Sequence, residues 1–184
     1  MKNGRLMLIC LTLAFLMAPQ ARAQQVRNLK EVISGAFARS GTTHQKPFDD
    51  AALVGLCNQG YSLAVYVYAG GRNAEVTCGG GRKLTYLNIT RWQDANNILS
   101  RADSVLQNGD KVLVHCWNGI HASKYVAAAA LNRYCGFSGE QAAAYFRRGI
   151  GPRELPARTV EKLSNQLRAL GRGGSVMQGC PSPQ

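Results

Sequence analysis

Val112 to Ser123 reads Val-Leu-Val-His-Cys-Trp-Asn-Gly-Ile-His-Ala-Ser. An apolar run ends in His115-Cys116, a short loop around Gly119 follows, and an Ala-rich helix begins at once. A strand that delivers a cysteine into a loop whose amides converge, at a helix N-terminus, makes an anion site with a thiolate at its floor. That arrangement suits nucleophilic attack on a phosphoester.

Other chemistry is weaker in this chain. His115, Cys116 and His121 carry metal-binding groups, but adjacent His-Cys at a strand end does not converge easily on a tetrahedral ion. No metal and no cofactor is expected. The chain has no Cys-x-x-Cys, which counts against a disulfide oxidoreductase. Trp92 and Trp117 are candidates to line the mouth of the pocket and stack on a ring, with partial core as the alternative place for Trp92.

The loop needs elements to position it. Asp49 is a helix cap for a short run carrying Ala52, Leu53, Leu56 and Cys57 on one face, closed by Gly60. Tyr61 to Tyr68 is rich in β-branched and aromatic residues and reads as a buried strand. A Gly-rich loop spans Gly70-Gly71 to Gly79-Gly80-Gly81, and Leu84 to Ile89 is a second strand. Ile98, Ala102, Val105 and Leu106 share one helical face. Asn108-Gly109-Asp110 then turns the chain into the Val112–His115 strand. The helix from Ser123 to Tyr134 is almost wholly apolar, and Gly136 ends it. Ser138 and Gln141 have capping-box spacing for a helix to about Arg147. Val160, Leu163, Leu167 and Leu170 mark a last amphipathic helix between Pro156 and Gly171. The segment from Gln24 to Pro47 has no strong period, and Arg39-Ser40-Gly41-Thr42-Thr43 is turn-like. Strands separated by helices predict an α/β single domain, a central mostly parallel sheet flanked by helices, with the Cys loop at the carboxyl end of a central strand.

The 184 residues suffice for one domain with a real core. Lys2 and Arg5 precede an apolar run from Leu6 to Met17, and Ala21-Arg22-Ala23 has the form of a cleavage site, so residues 1–23 read as a signal peptide. That run is too short for a span, and no small residue precedes Cys10, which argues against a lipid anchor. The expected organisation is a leader (1–23), an N-terminal extension (24–47), the domain (48–172) and a tail (173–184). The destination is periplasm or medium. Without the leader, 19 basic residues face 10 acidic ones. Most of the cations are scattered arginines, which reads either as a solvated basic surface or as attraction to polyanions, without naming one.

The mature chain keeps five cysteines, and in an oxidising compartment an odd number implies pairs plus one thiol. Cys116 is the natural leftover. The other four allow three pairings. Chain position favours Cys57 with Cys78, and Cys135 with Cys180.

At these residues the chain resembles the cysteine-dependent phosphatases of the dual-specificity and tyrosine-phosphatase superfamily. The resemblance covers roughly 36–170, its specific part being 111–148, including Phe137-Ser138-Gly139-Glu140-Gln141-Ala142. The family signature is His-Cys, five residues, then Arg, with Gly third after Cys and Ser or Thr after Arg. His115, Cys116, Gly119 and Ser123 match it. Ala122 stands where the Arg belongs.

The resemblance implies a role for each match. Cys116 attacks phosphorus as a thiolate, favoured by the loop amides and the helix dipole. The N–H groups of Trp117, Asn118, Gly119, Ile120, His121 and Ala122 hold the phosphoryl oxygens, Gly119 supplying a positive φ. Ser123 hydrogen-bonds Cys116 and helps the thiolate leave, while His115 orients the loop. Asp94, the carboxylate before the Ile98 helix, is the candidate general acid; helix capping is its other role. A guanidinium clamps two phosphoryl oxygens. Losing two charged hydrogen bonds costs roughly 3–6 kcal/mol, or about 10²–10⁴ in rate. Lys124 is read as pointing off another part of the helix, and His121 as a cation in acid conditions. Arg91, Arg147, Arg148 and Arg153 are the candidates to fill the space.

The expected protein is therefore exported and phosphatase-like, a pseudophosphatase that binds a phosphorylated or anionic ligand, on a protein or a glycan, with hydrolysis weak or absent. No membrane span and no nucleic-acid partner is expected. The alternatives are an active phosphatase with a cation supplied from elsewhere, and a thiol-exchange or acyl-transfer protein.

Overall fold

Six strands form one sheet in the order β1-β2-β6-β3-β5-β4. They are β1 (Val26–Ile33), β2 (Phe37–Thr42), β3 (Tyr61–Tyr66), β4 (Ala74–Thr77), β5 (Lys83–Asn88) and β6 (Lys111–His115), with helices α1 (Asp50–Asn58), α2 (Ala95–Gln107), α3 (Ala122–Cys135) and α4 (Gly139–Arg148). This computed structural model describes residues 26–43, 46–148 and 176–183. The leader, Arg153 and the helix expected between Pro156 and Gly171 lie outside them.

The four inner strands β2, β6, β3 and β5 run parallel, and the edge strands β1 and β4 are antiparallel to their neighbours. Parallel strands are covered on both faces. Here α1 seals one face with Ala52, Leu53, Leu56 and Cys57 against Tyr61, Ala64, Leu84 and Leu113. On the other face α2, α3 and α4 pack against Phe37, Leu63, Val65, Val112 and Val114. Alternation along β6 sends Val112 and Val114 to one core and Leu113 to the other, as a pleated strand requires.

Local chemistry sets the ends. Asp49 Oδ1 accepts the Ala52 N–H at 2.9 Å, capping α1. Ser138 Oγ accepts the Gln141 N–H at 3.2 Å while Gln141 Oε1 accepts the Ser138 N–H at 2.8 Å, a closed capping box for α4. Gly136 takes the left-handed conformation (φ 67°) that ends α3. On α2, Ala95, Ile98, Leu99, Ala102 and Leu106 are buried, and each large side chain among them contributes roughly 1.5–3 kcal/mol.

Two segments read as loops are strands. The extension expected over 24–47 carries β1 and β2, and β2 pairs in parallel with β6 from Phe37↔Val112 to Ser40↔His115. A boundary at residue 48 therefore does not divide the sheet. The polar run from Arg39 to Thr42 hides this strand because all six β2 residues are buried, and their polarity serves the neighbouring loop. Ala74–Thr77, inside the Gly-rich stretch, is β4, whose side chains alternate between half-buried and exposed.

Candidate active site

Cys116 follows the last residue of β6, so the strand aims it at the carboxyl edge of the sheet, where open α/β sheets place ligands. His115 is fully buried beneath it. Its ring stacks on Phe48 at 3.9 Å and Tyr66 at 4.8 Å, and Nε2 hydrogen-bonds the Tyr86 hydroxyl at 2.8 Å. Burial pulls the His115 pKa down to about 3, so the ring is neutral. Tyr86 accepts the Phe48 N–H, and burial raises its own pKa well above the ordinary tyrosine value. His115 is thus held between aromatic walls and fixes the point from which the loop departs.

Three successive loop carbonyls are turned toward β1 and β2. Trp117 O accepts the Thr42 N–H at 3.2 Å and the Thr42 hydroxyl at 3.3 Å. Asn118 O accepts Asn28 Nδ2 at 3.3 Å, and Gly119 O accepts Arg39 Nη1 at 2.5 Å. A planar trans peptide points its N–H opposite its C=O. The amides of Asn118, Gly119 and Ile120 therefore face away from those strands. The Ile120 N–H donates to Asn118 Oδ1 at 2.9 Å, and that same oxygen lies 3.9 Å from Cys116 Sγ. A carboxamide oxygen of the loop itself thus sits over the thiol.

Glycine is required at the crossing of loop and strand. A Cβ on Gly41 would stand 2.4 Å from the Asn118 carbonyl carbon. One on Gly119, where φ is +70°, would stand 2.7 Å from Gly41 N. The two chains touch backbone to backbone. Cys116, 3% exposed, is a free thiol whose Sγ lies 3.3 Å from Ser123 Oγ in the first turn of α3.

Ala122 starts α3, next to the exposed His121, whose carbonyl accepts the Tyr125 N–H. Lys124, two positions further along α3, is wholly buried. Burial lowers its pKa first, then the nearby Arg39 charge, while Cys116 opposes the shift. Arg39 is also buried, at 1% exposure. Arg39, not among the residues expected to fill the arginine's space, reaches the Cys loop through the Gly119 carbonyl. Arg91 is exposed ahead of the Trp92–Asp94 turn, and Arg147 and Arg148 lie far along α4. Arg39 escaped the sequence reading because its segment passes for a turn.

Asp94 occupies the N-cap position of α2, exposed and without a side-chain capping bond. It follows β5, whose end shares the sheet edge with Cys116. Trp92, half-buried, packs its ring 4.4 Å from that of Tyr125, two residues beyond Ser123. Trp117 is 38% exposed and faces the exposed Tyr68 at 5.7 Å. Disulfides join Cys57 to Cys78 and Cys135 to Cys180. Among the described residues no three His, Cys, Asp or Glu gather as metal ligands.

The fold is similar to that of solved phosphatase-like structures. Among solved structures, Pseudomonas aeruginosa TpbA matches at TM-score 0.52 and 16% identity over 79% of this chain and 90% of its own. Tk-PTP in its active form matches at 0.55 and 20% over 77% and 97%. A Shewanella putrefaciens CN-32 protein (DUF442) matches at 0.50 and 16% over 83% and 98%. No protein-family model matches the chain, and no curated protein matches it.

Proposed function

We propose that this chain is an exported phosphatase-like protein that binds a phosphorylated or other anionic ligand on the Cys116 loop and hydrolyses phosphoesters weakly or not at all. The observation that carries this reading is the row of loop carbonyls bonded to β1 and β2, which leaves the following amides on the other side of the loop from those strands. Their donors suit phosphoryl oxygens. Ala122 offers no guanidinium, so the transition state lacks its bidentate clamp. The leader ending near Ala23 supports export to the periplasm or medium, and two closed disulfides suit an oxidising compartment. A protein or a glycan is the expected bearer of the phosphoryl group.

The buried Lys124 and Arg39 favour a second reading, an active phosphatase with its cation supplied from elsewhere. The thiolate of Cys116 would then form an S–P bond as the P–O bond breaks, Asp94 giving its proton to the leaving oxygen. Water would next displace the thiolate, returning the proton to Asp94 and releasing inorganic phosphate.

Hydrolysis of an aryl phosphate by the leaderless chain, beside Cys116→Ser, tests both. Turnover at the Cys116→Ser background supports the first reading. Cys-dependent turnover well above it establishes the second. Ala122→Arg should gain activity, and no gain would mean that the pocket cannot accept the clamp.

A further inference from the structure

Ser40 Oγ and His115 Nδ1 are both buried, and neither has a hydrogen-bond partner among the described residues. The two residues are register partners on the neighbouring parallel strands β2 and β6. Ala38, two residues before Ser40, packs in the core beneath α1, so strand alternation turns Ser40 to that face. The His115 ring lies on the same face, stacked on Phe48 of that core. The two atoms are therefore neighbours in one dry layer of the sheet.

Hydrogen-bond accounting fixes what each atom needs. The Tyr86 hydroxyl accepts the Phe48 N–H at 3.2 Å, and its other partner is His115 Nε2 at 2.8 Å. Its own hydrogen is thus spent on Nε2. In a neutral imidazole whose Nε2 accepts, the one ring proton sits on Nδ1. A buried donor then lies beside a buried hydroxyl, and leaving both unsatisfied is costly. A methyl would avoid that cost, and Ala38 shows that one suits this face. No direct bond joins Ser40 Oγ to Nδ1, whereas one water with a partner on either side satisfies both. Ser40 also grips β6 through its backbone, its carbonyl accepting the Cys116 N–H at 3.2 Å.

We infer that Ser40 is a positioning residue of the cysteine loop, its hydroxyl and His115 Nδ1 sharing one buried water that locks the imidazole from β2 as Tyr86 locks it from β5. The inference concerns the strand ends beneath the loop and holds whether or not the loop takes an anion.

The test uses the leaderless chain with both disulfides formed. A crystal structure that resolves ordered water should show one density peak about 2.7–3.2 Å from both atoms. Nitrogen NMR of the histidine-labelled chain, assigned against His115→Gln, should find the His115 proton on Nδ1 and none on Nε2. Ser40→Ala should shift that Nδ1–H signal and speed its exchange with solvent. The same variant should speed iodoacetamide alkylation of Cys116 about 2–10-fold, the equivalent of one ordinary hydrogen bond. Ser40→Thr keeps a hydroxyl and should restore both readouts. A wild-type ring protonated on Nε2, or no density between the two atoms, overturns the inference. An altered Nδ1–H signal with unchanged alkylation overturns the positioning role. Tungstate, a tetrahedral oxyanion followed by tryptophan fluorescence, probes the loop separately. A wild-type chain that binds none overturns the anion reading and leaves Ser40 to be judged on the ring and the thiol.

Discussion

Arg39 Nη1 donates to the carbonyl oxygen of Gly119 at 2.5 Å across 80 residues of chain. This bond joins the second strand of the sheet to the middle of the Cys loop, with both partners buried. Arg39→Met leaves that carbonyl without its charged donor. The expected loss is about 1.5–3 kcal/mol of stability, read from urea melts, together with faster alkylation of Cys116 as the loop loosens. Wild-type stability in this variant would show that the bond does not hold the loop.

Gly119 and Gly41 meet backbone to backbone, and Gly119 has a φ of +70°. A side chain at Gly119 pays about 1–2 kcal/mol for that conformation alone, and its Cβ would overlap β2. Gly119→Ala should lose about 2–4 kcal/mol in total and should bind no tungstate. Gly41→Ala should do the same from the opposite partner. Calorimetric melting and fluorescence titration check both.

Asn118 Oδ1 takes up the Ile120 amide and lies 3.9 Å from the sulfur. An arriving anion must displace that oxygen. Asn118→Ala should therefore strengthen tungstate binding by about 2–10-fold, the equivalent of one ordinary hydrogen bond no longer surrendered. It should also speed alkylation of Cys116 at fixed pH. Weaker binding would mean that the carboxamide helps to hold the ligand.

His115 has a folded pKa of about 3 because it is buried; unfolded, it titrates near 6.5. Between those values the unfolded chain takes up a proton that the folded chain refuses. Stability contributed at neutral pH is thus lost as pH falls from 6.5 toward 3, at up to about 1.4 kcal/mol per pH unit. In His115→Gln this share of the acid slope should vanish. Urea midpoints measured across that range decide it, and an identical slope in both proteins would remove His115 from the account.

Cys135 closes α3 and is bonded to Cys180 in the tail, where Met177 N–H also meets Tyr134 O and Ser34 N–H meets Gly179 O. Cys180→Ser opens a loop of 45 residues in sequence. The expected cost is about 2–4 kcal/mol, seen as a lower melting temperature with little change in Cys116 alkylation, since the bridge lies at the far end of the helix.

How much of this was readable from the residues depends on what each segment must satisfy. Asp49, the Ser138–Gln141 pair and Gly136 announce helix ends because capping is local. Val112–His115 and Tyr61–Tyr66 announce buried strands because their apolar side chains have no other use. The same logic conceals β2. Its Arg39, Ser40 and Thr42 are polar and yet buried, since this strand lies under the loop; Arg39 and Thr42 bond its carbonyls and Ser40 O takes the Cys116 amide. β1 is concealed by two irregularities in its pairing, one of them around Asn28 at φ 53°. Lys124 is legible only once α3 is seen with both sides packed. The cysteine, the glycine and the serine of the site are set by spacing along one short segment, whereas the cations come from contacts between distant ones.

The concealment of Cys116 has a consequence for how the molecule matures. Four other sulfurs must find their mates by oxidation, and a fifth exposed at the same time would compete with them. Once the central strands and α3 have docked, that fifth sulfur is screened behind Asn118 and tethered to Ser123, so the wrong bridges are closed off by geometry rather than by any redox preference. The folded chain thus keeps one reduced sulfur beside four joined in pairs.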